Sequence, residues 1–216
     1  MPANHGKRAI AAEPLAPTAI KLLDAAEVLF ADFGFNGVSV RDIVERAQAN
    51  LSAIPYHFGT KESLFKEVIR RRAGPLRDER DRLLQALHSR RKKPSPEEII
   101  TALLKPAFRT SHDNDAFRRL LGRASTDPAP EVRKLLAEIY TNEFMIVPKT
   151  LRKMLIRMPD QEFYWKLNCF YGVMLFVQAD TGKIQTIAGP DFDTSNPETA
   201  LKYVIPFLVA GFFAKV

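Results

Sequence analysis

An all-α fold is predicted, on three observations. Apolar residues recur at spacings of three and four along most of the chain; strand-like alternation and fixed-period repeats are missing; and Ser, Thr, Asn or Pro stands ahead of several periodic segments as a helix start. The expectation is a small three-helix N-terminal domain followed by a larger helical C-terminal domain, with about nine helices in total.

Residues 1–17 hold three prolines and no apolar period, and read as a disordered arm that carries Lys7 and Arg8. Thr18 opens the first helix; Leu22, Ala26, Leu29, Phe30 and Phe33 form its stripe, and Gly34 stops it. Ser39 caps a second helix whose inner face is Val40, Ile43, Val44 and Ala47. After the turn 47–50, Asn50 is expected to cap a third helix from Leu51 to His57, anchored by Ile54 and Phe58. So short a helix is unstable alone, and most of its surface is free for a partner such as a major groove. Gly59 ends it and Thr60 caps a long fourth helix, which Pro75 should kink or break.

A polar linker, Arg90 to Pro96, leads to a fifth helix from Pro96 to about residue 111, bent at Pro106. A sixth helix covers 115–125, and a seventh runs from Pro130 towards Met158 with Pro148 near its middle. Asp160 caps an aromatic-rich eighth helix, 188–196 is a loop, and Asn196 with Pro197 starts a ninth that ends near Val216.

From Thr18 to Phe65 the order of features is Phe33-Gly34-Phe35 at a corner, a Ser-capped helix, Tyr56-His57-Phe58, then Thr60-Lys61-Glu62. This stretch resembles the DNA-binding domain of TetR-like bacterial transcriptional regulators. The resemblance implies a helix-turn-helix domain at 18–65 and a ligand-binding and dimerisation domain at 66–216. It places Arg41, Leu51, Ser52 and Pro55 at base edges, with Ser39, Asn50, Tyr56, His57, Thr60 and Lys61 completing the DNA-binding set, mostly on phosphates. Arg41 either reads guanine or pairs with Glu45; Tyr56 and His57 either bind phosphate or pack where the third and fourth helices meet. Two residues depart from the family pattern. Gln48 stands where glycine is common, which forces a side chain into a left-handed or bridging conformation at about 1 kcal/mol. Pro55 lies in the recognition helix, where it cannot donate a backbone bond.

The resemblance further implies a homodimer built from the last two long helices, with Phe170, Val173, Met174, Val177, Val204, Leu208 and Phe212 as candidate interface. It also implies an effector pocket, for which Phe108, Phe117, Leu121, Phe144, Met145, Phe163, Trp165 and Tyr171 are candidates; with so few ionisable groups among them, a small apolar or aromatic effector is expected.

Charge is unevenly placed. Of the formal +7, all is accounted for by Lys61 to Lys93, which holds 12 basic and five acidic residues. That is either phosphate attraction behind the recognition helix or a solvated helix face. The single cysteine, Cys169, precludes an intramolecular disulfide and reads as a buried small hydrophobe in preference to a thiol sensor. The four histidines lack ligand spacing, so neither metal nor cofactor is expected. No apolar run reaches the ~18 residues of a membrane span, and the N-terminus lacks a signal-like segment, so a cytoplasmic, non-membrane protein is expected. The reading is a sequence-specific, homodimeric repressor that binds a double-stranded operator and is released by a small-molecule effector. Alternatives are a helical small-molecule binder or enzyme with a degenerate helix-turn-helix, and a sequence-nonspecific DNA binder resting on the basic fourth helix. Phosphate loops and nucleophile motifs are not found.

Overall fold

The computed structural model describes residues 15–179, 182–189, 191–194 and 196–214; the proposed arm with Lys7 and Arg8 lies almost wholly outside them. The described residues form helices and no strand. In order these are α1 (Pro17–Phe33), α2 (Val40–Arg46), α3 (Ala53–Phe58), α4 (Lys61–His88), α5 (Pro96–Asp113), α6 (Asp115–Thr126), α7 (Pro130–Ile139), a π-turn (Tyr140–Phe144), α8 (Ile146–Met154), α9 (Asp160–Ala179), α10 (Lys183–Ala188) and α11 (Pro197–Phe213).

Two apolar cores lie side by side. The first joins α1, α2, α3 and the N-terminal half of α4 to α6 and α7; the second joins the C-terminal end of α4 to α5, α8, α9 and α11. Helix α4 enters both, giving Leu64, Phe65, Val68, Ile69 and Leu76 to the first and Leu84 and Leu87 to the second. At 28 residues it is a rod about 42 Å long. A displacement at one core therefore has a stiff element along which to reach the other.

Pro75 does not break this helix. Its missing N–H costs one bond, but Ala73 and Leu76 on either side are buried and hold the backbone in place. The expected seventh helix, by contrast, is interrupted. Pro148 would clash with the carbonyl four residues upstream, and the chain passes through the π-turn so that Pro148 falls in the first turn of α8, where no donor is needed. The aromatic-rich helix ends at Ala179 and α10 follows, which accounts for the rest of the excess over nine helices. Asp160 is the first residue of α9 and not its cap; Asn196 caps α11 as expected, accepting from the Glu198 and Thr199 amides at 3.0 and 3.1 Å.

Burial revises the apolar stripe of α1. Phe33 is exposed, while Glu27 is 3% exposed, between Arg71 Nη2 at 2.5 Å and Arg72 Nε at 3.1 Å. This pairing ties α1 to α4 through a desolvated carboxylate. Gln48 takes φ 51°, alone among the described non-glycine residues in having positive φ. Gln48→Gly is expected to raise stability by about 0.5–1 kcal/mol, the relief of left-handed strain less the added entropy of glycine in the unfolded chain. A fall in the thermal midpoint would show that the Gln48 side chain makes a contact that outweighs its strain.

Candidate nucleic-acid interface and ligand cavities

The recognition unit is built by caps. Ser39 Oγ accepts from the Asp42 amide at 3.2 Å while Asp42 Oδ2 accepts from the Ser39 amide at 2.7 Å, so both ends of a capping box are closed. These bonds to Ser39 hold the Asp42 carboxyl below the usual range. Thr60 Oγ1 likewise accepts from the Ser63 amide at 3.1 Å and starts α4. Two residues assigned to DNA thus have hydroxyls that terminate helices.

Asn50 is not the cap of α3. The helix begins at Ala53, with Ser52 in the N-cap position, and the Asn50 carbonyl accepts from the Ala53 amide at 2.9 Å to close the preceding turn. This later start places Pro55 in the first helical turn, where the N–H it lacks has no intrahelical partner. Its expected cost therefore vanishes.

Lys61 is redirected most strongly. Its Nζ donates to the Phe35 and Val38 carbonyls at 3.0 and 2.8 Å and lies 4.2 Å from the Phe35 ring centroid. Burial lowers its pKa. It fastens the corner between α1 and α2 and is not a free cation for phosphate. His57 is half-buried between Tyr56 and Phe58, at ring distances of 4.8 and 6.2 Å. Arg41, Leu51, Ser52, Pro55 and Tyr56 are exposed, Tyr56 at 83%.

The basic stretch is largely consumed internally. Lys66 pairs with Glu138, Arg71 with Asp24 and Glu27, Arg72 with Glu27, Arg77 with Asp78, Arg82 with Glu79 and Arg90 with Glu98. Acids from outside the stretch, Asp24, Glu27, Glu98 and Glu138, thus offset part of its excess charge.

The residues proposed for the effector pocket separate. Phe144, Met145, Phe163 and Tyr171 line a cleft of about 740 Å³ beside α8; Phe117, Leu121, Phe144 and Tyr171 line an internal cavity of about 40 Å³ between α4, α6 and α9. Phe108 is plain core, and Trp165 is 65% exposed on the outside of α9, because the helical turn that buries Phe163, Leu167 and Phe170 points it away. The same rotation overturns most of the interface assignment. Phe170, Val204, Leu208 and Phe212 are buried in the second core and Val173, Met174 and Val177 pack against it, whereas Trp165, Phe176, Tyr203 and Phe207 stand 50–66% exposed. Cys169, expected to be buried, shares the exposed side of α9.

Arg80 and Glu27 were missed. Both occupy core-facing positions of an otherwise apolar stripe, Leu76-Arg80-Leu84-Leu87 and Leu23-Glu27-Phe30, and that interruption is the signal that marks them.

Tyr171 lies 6.3 Å from the Tyr140 ring, and burial pushes its phenol up to about 12 from 10.0. The folded state therefore keeps a proton that the unfolded chain loses first. Its contribution to stability is intact below pH 10.0 and lost as pH rises to about 12. Tyr171→Phe is expected to flatten the decline in melting temperature across that interval; an unchanged alkaline limb would refute the burial of this phenol.

The family model described as bacterial regulatory proteins, tetR family, matches residues 22–68, which span α1 to the start of α4. The model described as tetracyclin repressor-like, C-terminal domain, matches residues 99–211, more than half of the chain. The chain belongs to the TetR family. A curated relative, the probable HTH-type transcriptional regulator YttP of Bacillus subtilis (strain 168), is 24% identical over 123 residues, which cover 57% of this chain and 58% of that protein. The match thus spans little more than half the relative's length. Among solved structures this TetR-family chain is similar to the fatty acid degradation regulator FadR of Bacillus halodurans, with a TM-score of 0.67 at 15% identity, covering 94% of this chain and 100% of the other. It is also similar to FadR of Bacillus subtilis in complex with stearoyl-CoA, with a TM-score of 0.66 at 14% identity over 89% and 98% of the two chains. The family is one of regulators. No helix among the described residues is long and apolar enough to cross a membrane.

Proposed function

We propose that the protein is a homodimeric transcriptional repressor that binds a near-palindromic double-stranded operator in the cytoplasm and releases it when a small molecule with an apolar body binds. Residues 18–65 carry DNA recognition and 66–216 carry effector binding and dimerisation. It acts by binding, without turnover of the effector. The observation that carries the reading is the bare outer face of α2 and α3. Arg41, Leu51, Ser52, Pro55 and Tyr56 face solvent there, while the capping box and the Lys61 staple fix the backbone behind them. Preorganised exposed side chains on a short helix suit a major groove. The cleft beside α8, lined by Pro148, Ile156 and Leu167 among others, supports an apolar effector body. The FadR of Bacillus subtilis, whose structure holds stearoyl-CoA, is a fold neighbour compatible with it.

The test is a gel-shift titration against DNA from immediately upstream of the protein's own gene with excess random competitor, followed by selection from random sequence. Competitor-resistant binding is expected, with log affinity falling linearly with log salt. Arg41→Ala should weaken it by about tenfold or more and relax discrimination at one base position. Failure to select any sequence would overturn the proposal.

A further inference from the structure

Arg80 is 2% exposed, and its Nε donates to the Leu103 carbonyl at 2.7 Å. No carboxylate among the described residues stands within ion-pair distance of it, and burial lowers its pKa to about 10. An uncompensated charge in a protein interior is costly, which asks for a reason. Arg80 borders the 40 Å³ cavity. So does Gln178, whose side-chain nitrogen is buried without a hydrogen-bond partner, and so does the Tyr171 phenol, which burial keeps protonated. The cavity wall thus holds a buried cation without a counter-charge and one amide donor, Gln178 Nε2, in want of an acceptor.

The space has a size and an approach. It is comparable to one water's share of liquid volume, about 30 Å³, and so admits a carboxylate-sized group. It shares Tyr140, Phe144 and Tyr171 with the 740 Å³ cleft, so these three side chains stand between the buried cation and a large, mainly apolar chamber that Lys149, Arg152 and Lys153 also line. Two of them bound the π-turn, an irregularity that recurs at functional sites. Arg118 also borders the cavity, but it is paired with Asp115 and donates to the Gln178 carbonyl at 3.0 Å. Within this small cavity Arg80 is therefore the one lining cation left without an ion-pair partner.

We propose that the effector is an amphipathic monocarboxylate whose apolar body occupies the cleft beside α8 and whose carboxylate reaches Arg80 and Gln178 past the Tyr140, Phe144 and Tyr171 rings. This rests on the reading of the protein as an effector-controlled regulator and names the effector's chemistry. It also supplies the coupling. Arg80 lies on α4 between Leu76 in the first core and Leu84 in the second, so a ligand that parts the rings to reach it acts on the rod that carries the recognition unit. Only a ligand with different affinities for the two states shifts them.

The experiment is isothermal titration of the full chain with decanoate, decanol and decyl phosphate, repeated with Arg80→Met and Arg80→Lys. The wild type should bind decanoate about tenfold or more tighter than decanol, from one charge-assisted contact in a buried site. Arg80→Met should reduce that ratio to near one with decanol affinity unchanged, while Arg80→Lys keeps most of the preference and guards against a folding defect in the Met variant. Equal affinities, no measurable decanoate binding, or a preference that survives Arg80→Met overturns the proposal; tighter binding of decyl phosphate than decanoate overturns the carboxylate assignment. The operator gel shift, run in parallel, separates the two readings. Specific DNA binding with no carboxylate preference leaves the regulator standing and removes only the effector chemistry.

Discussion

A chain carrying both Trp165→Glu and Phe207→Glu is expected to sediment as a monomer and to bind its operator at least about 100-fold more weakly than the wild type, with its melting temperature little changed. Trp165 and Phe176 on α9, and Tyr203 and Phe207 on α11, are large aromatic side chains at least half exposed. We propose this concentration of exposed apolar surface on two neighbouring helices as the face through which the subunits associate. Placing a carboxylate at each of two positions, once per subunit, puts like charges against apolar surface on both sides of a two-fold axis. The affinity loss arises because one recognition unit no longer holds its partner near the second half-site; linkage of two binding units is worth about 10² to 10⁴ in apparent affinity. Stability should hold because neither side chain belongs to a core, and surface substitutions usually stay within about 0.5 kcal/mol. Analytical ultracentrifugation and the gel shift read both quantities on one sample. A double variant that is still dimeric would mean that the subunits meet elsewhere.

Phe65→Ala is expected to cost about 3–5 kcal/mol and lower the melting temperature by roughly 10 °C. Phe65 is buried and meets Phe30 and Phe35 edge-on, each with ring centroids 5.2 Å away, while Phe30 and Phe35 lie 5.9 Å apart. The three rings come from α1, the corner after it and α4, so this cluster closes the recognition domain. Removing the central ring takes away its transfer energy and two favourable edge contacts, and leaves a void that close-packed neighbours cannot fill. The consequence reaches the DNA face. Phe35 carries the ring under the Lys61 ammonium and one of the carbonyls that accept from it, so a loosened Phe35 frees the corner that positions α2. Operator affinity should fall more in Phe65→Ala than in a Leu84→Ala control from the second core. A thermal shift of only a degree or two would show that the cluster relaxes into the void and that packing elsewhere holds the corner.

Local chemistry accounts for the class of this fold and for the order of its first helices. The Ser39 and Thr60 caps, the Gly34 and Gly59 stops, and the left-handed Gln48 are all satisfied by residues within a few positions, and each was legible because its cause is local. The position of α2 followed from the same signals, whereas α3, expected from Leu51 to His57, begins at Ala53 and ends at Phe58. Asn50 does not cap α3 because only the backbone path decides which residue precedes the first helical amide, and that residue is Ser52.

Long-range packing decided everything that depends on which way a side chain faces. Lys61 bonds carbonyls 26 and 23 residues away, a relation no window of sequence contains. The aromatic residues of α9 and α11 divide between core and surface by a rotation about each helix axis, and a helix apolar nearly all round carries too weak a moment to reveal that rotation. Arg80 shows the same limit most plainly. As a residue it is one of many arginines in a basic segment; as a place it is a cation without a counter-charge at the wall of a cavity, and that is a property of α4, α5, α6 and α9 together. Composition and local spacing determined the helical class and the recognition motif, because hydrogen bonding and capping act over one turn. The tertiary structure alone decided which aromatic side chains of α9 and α11 stay exposed and where Arg80 lies, because burial and charge compensation are set by neighbours brought from far along the chain.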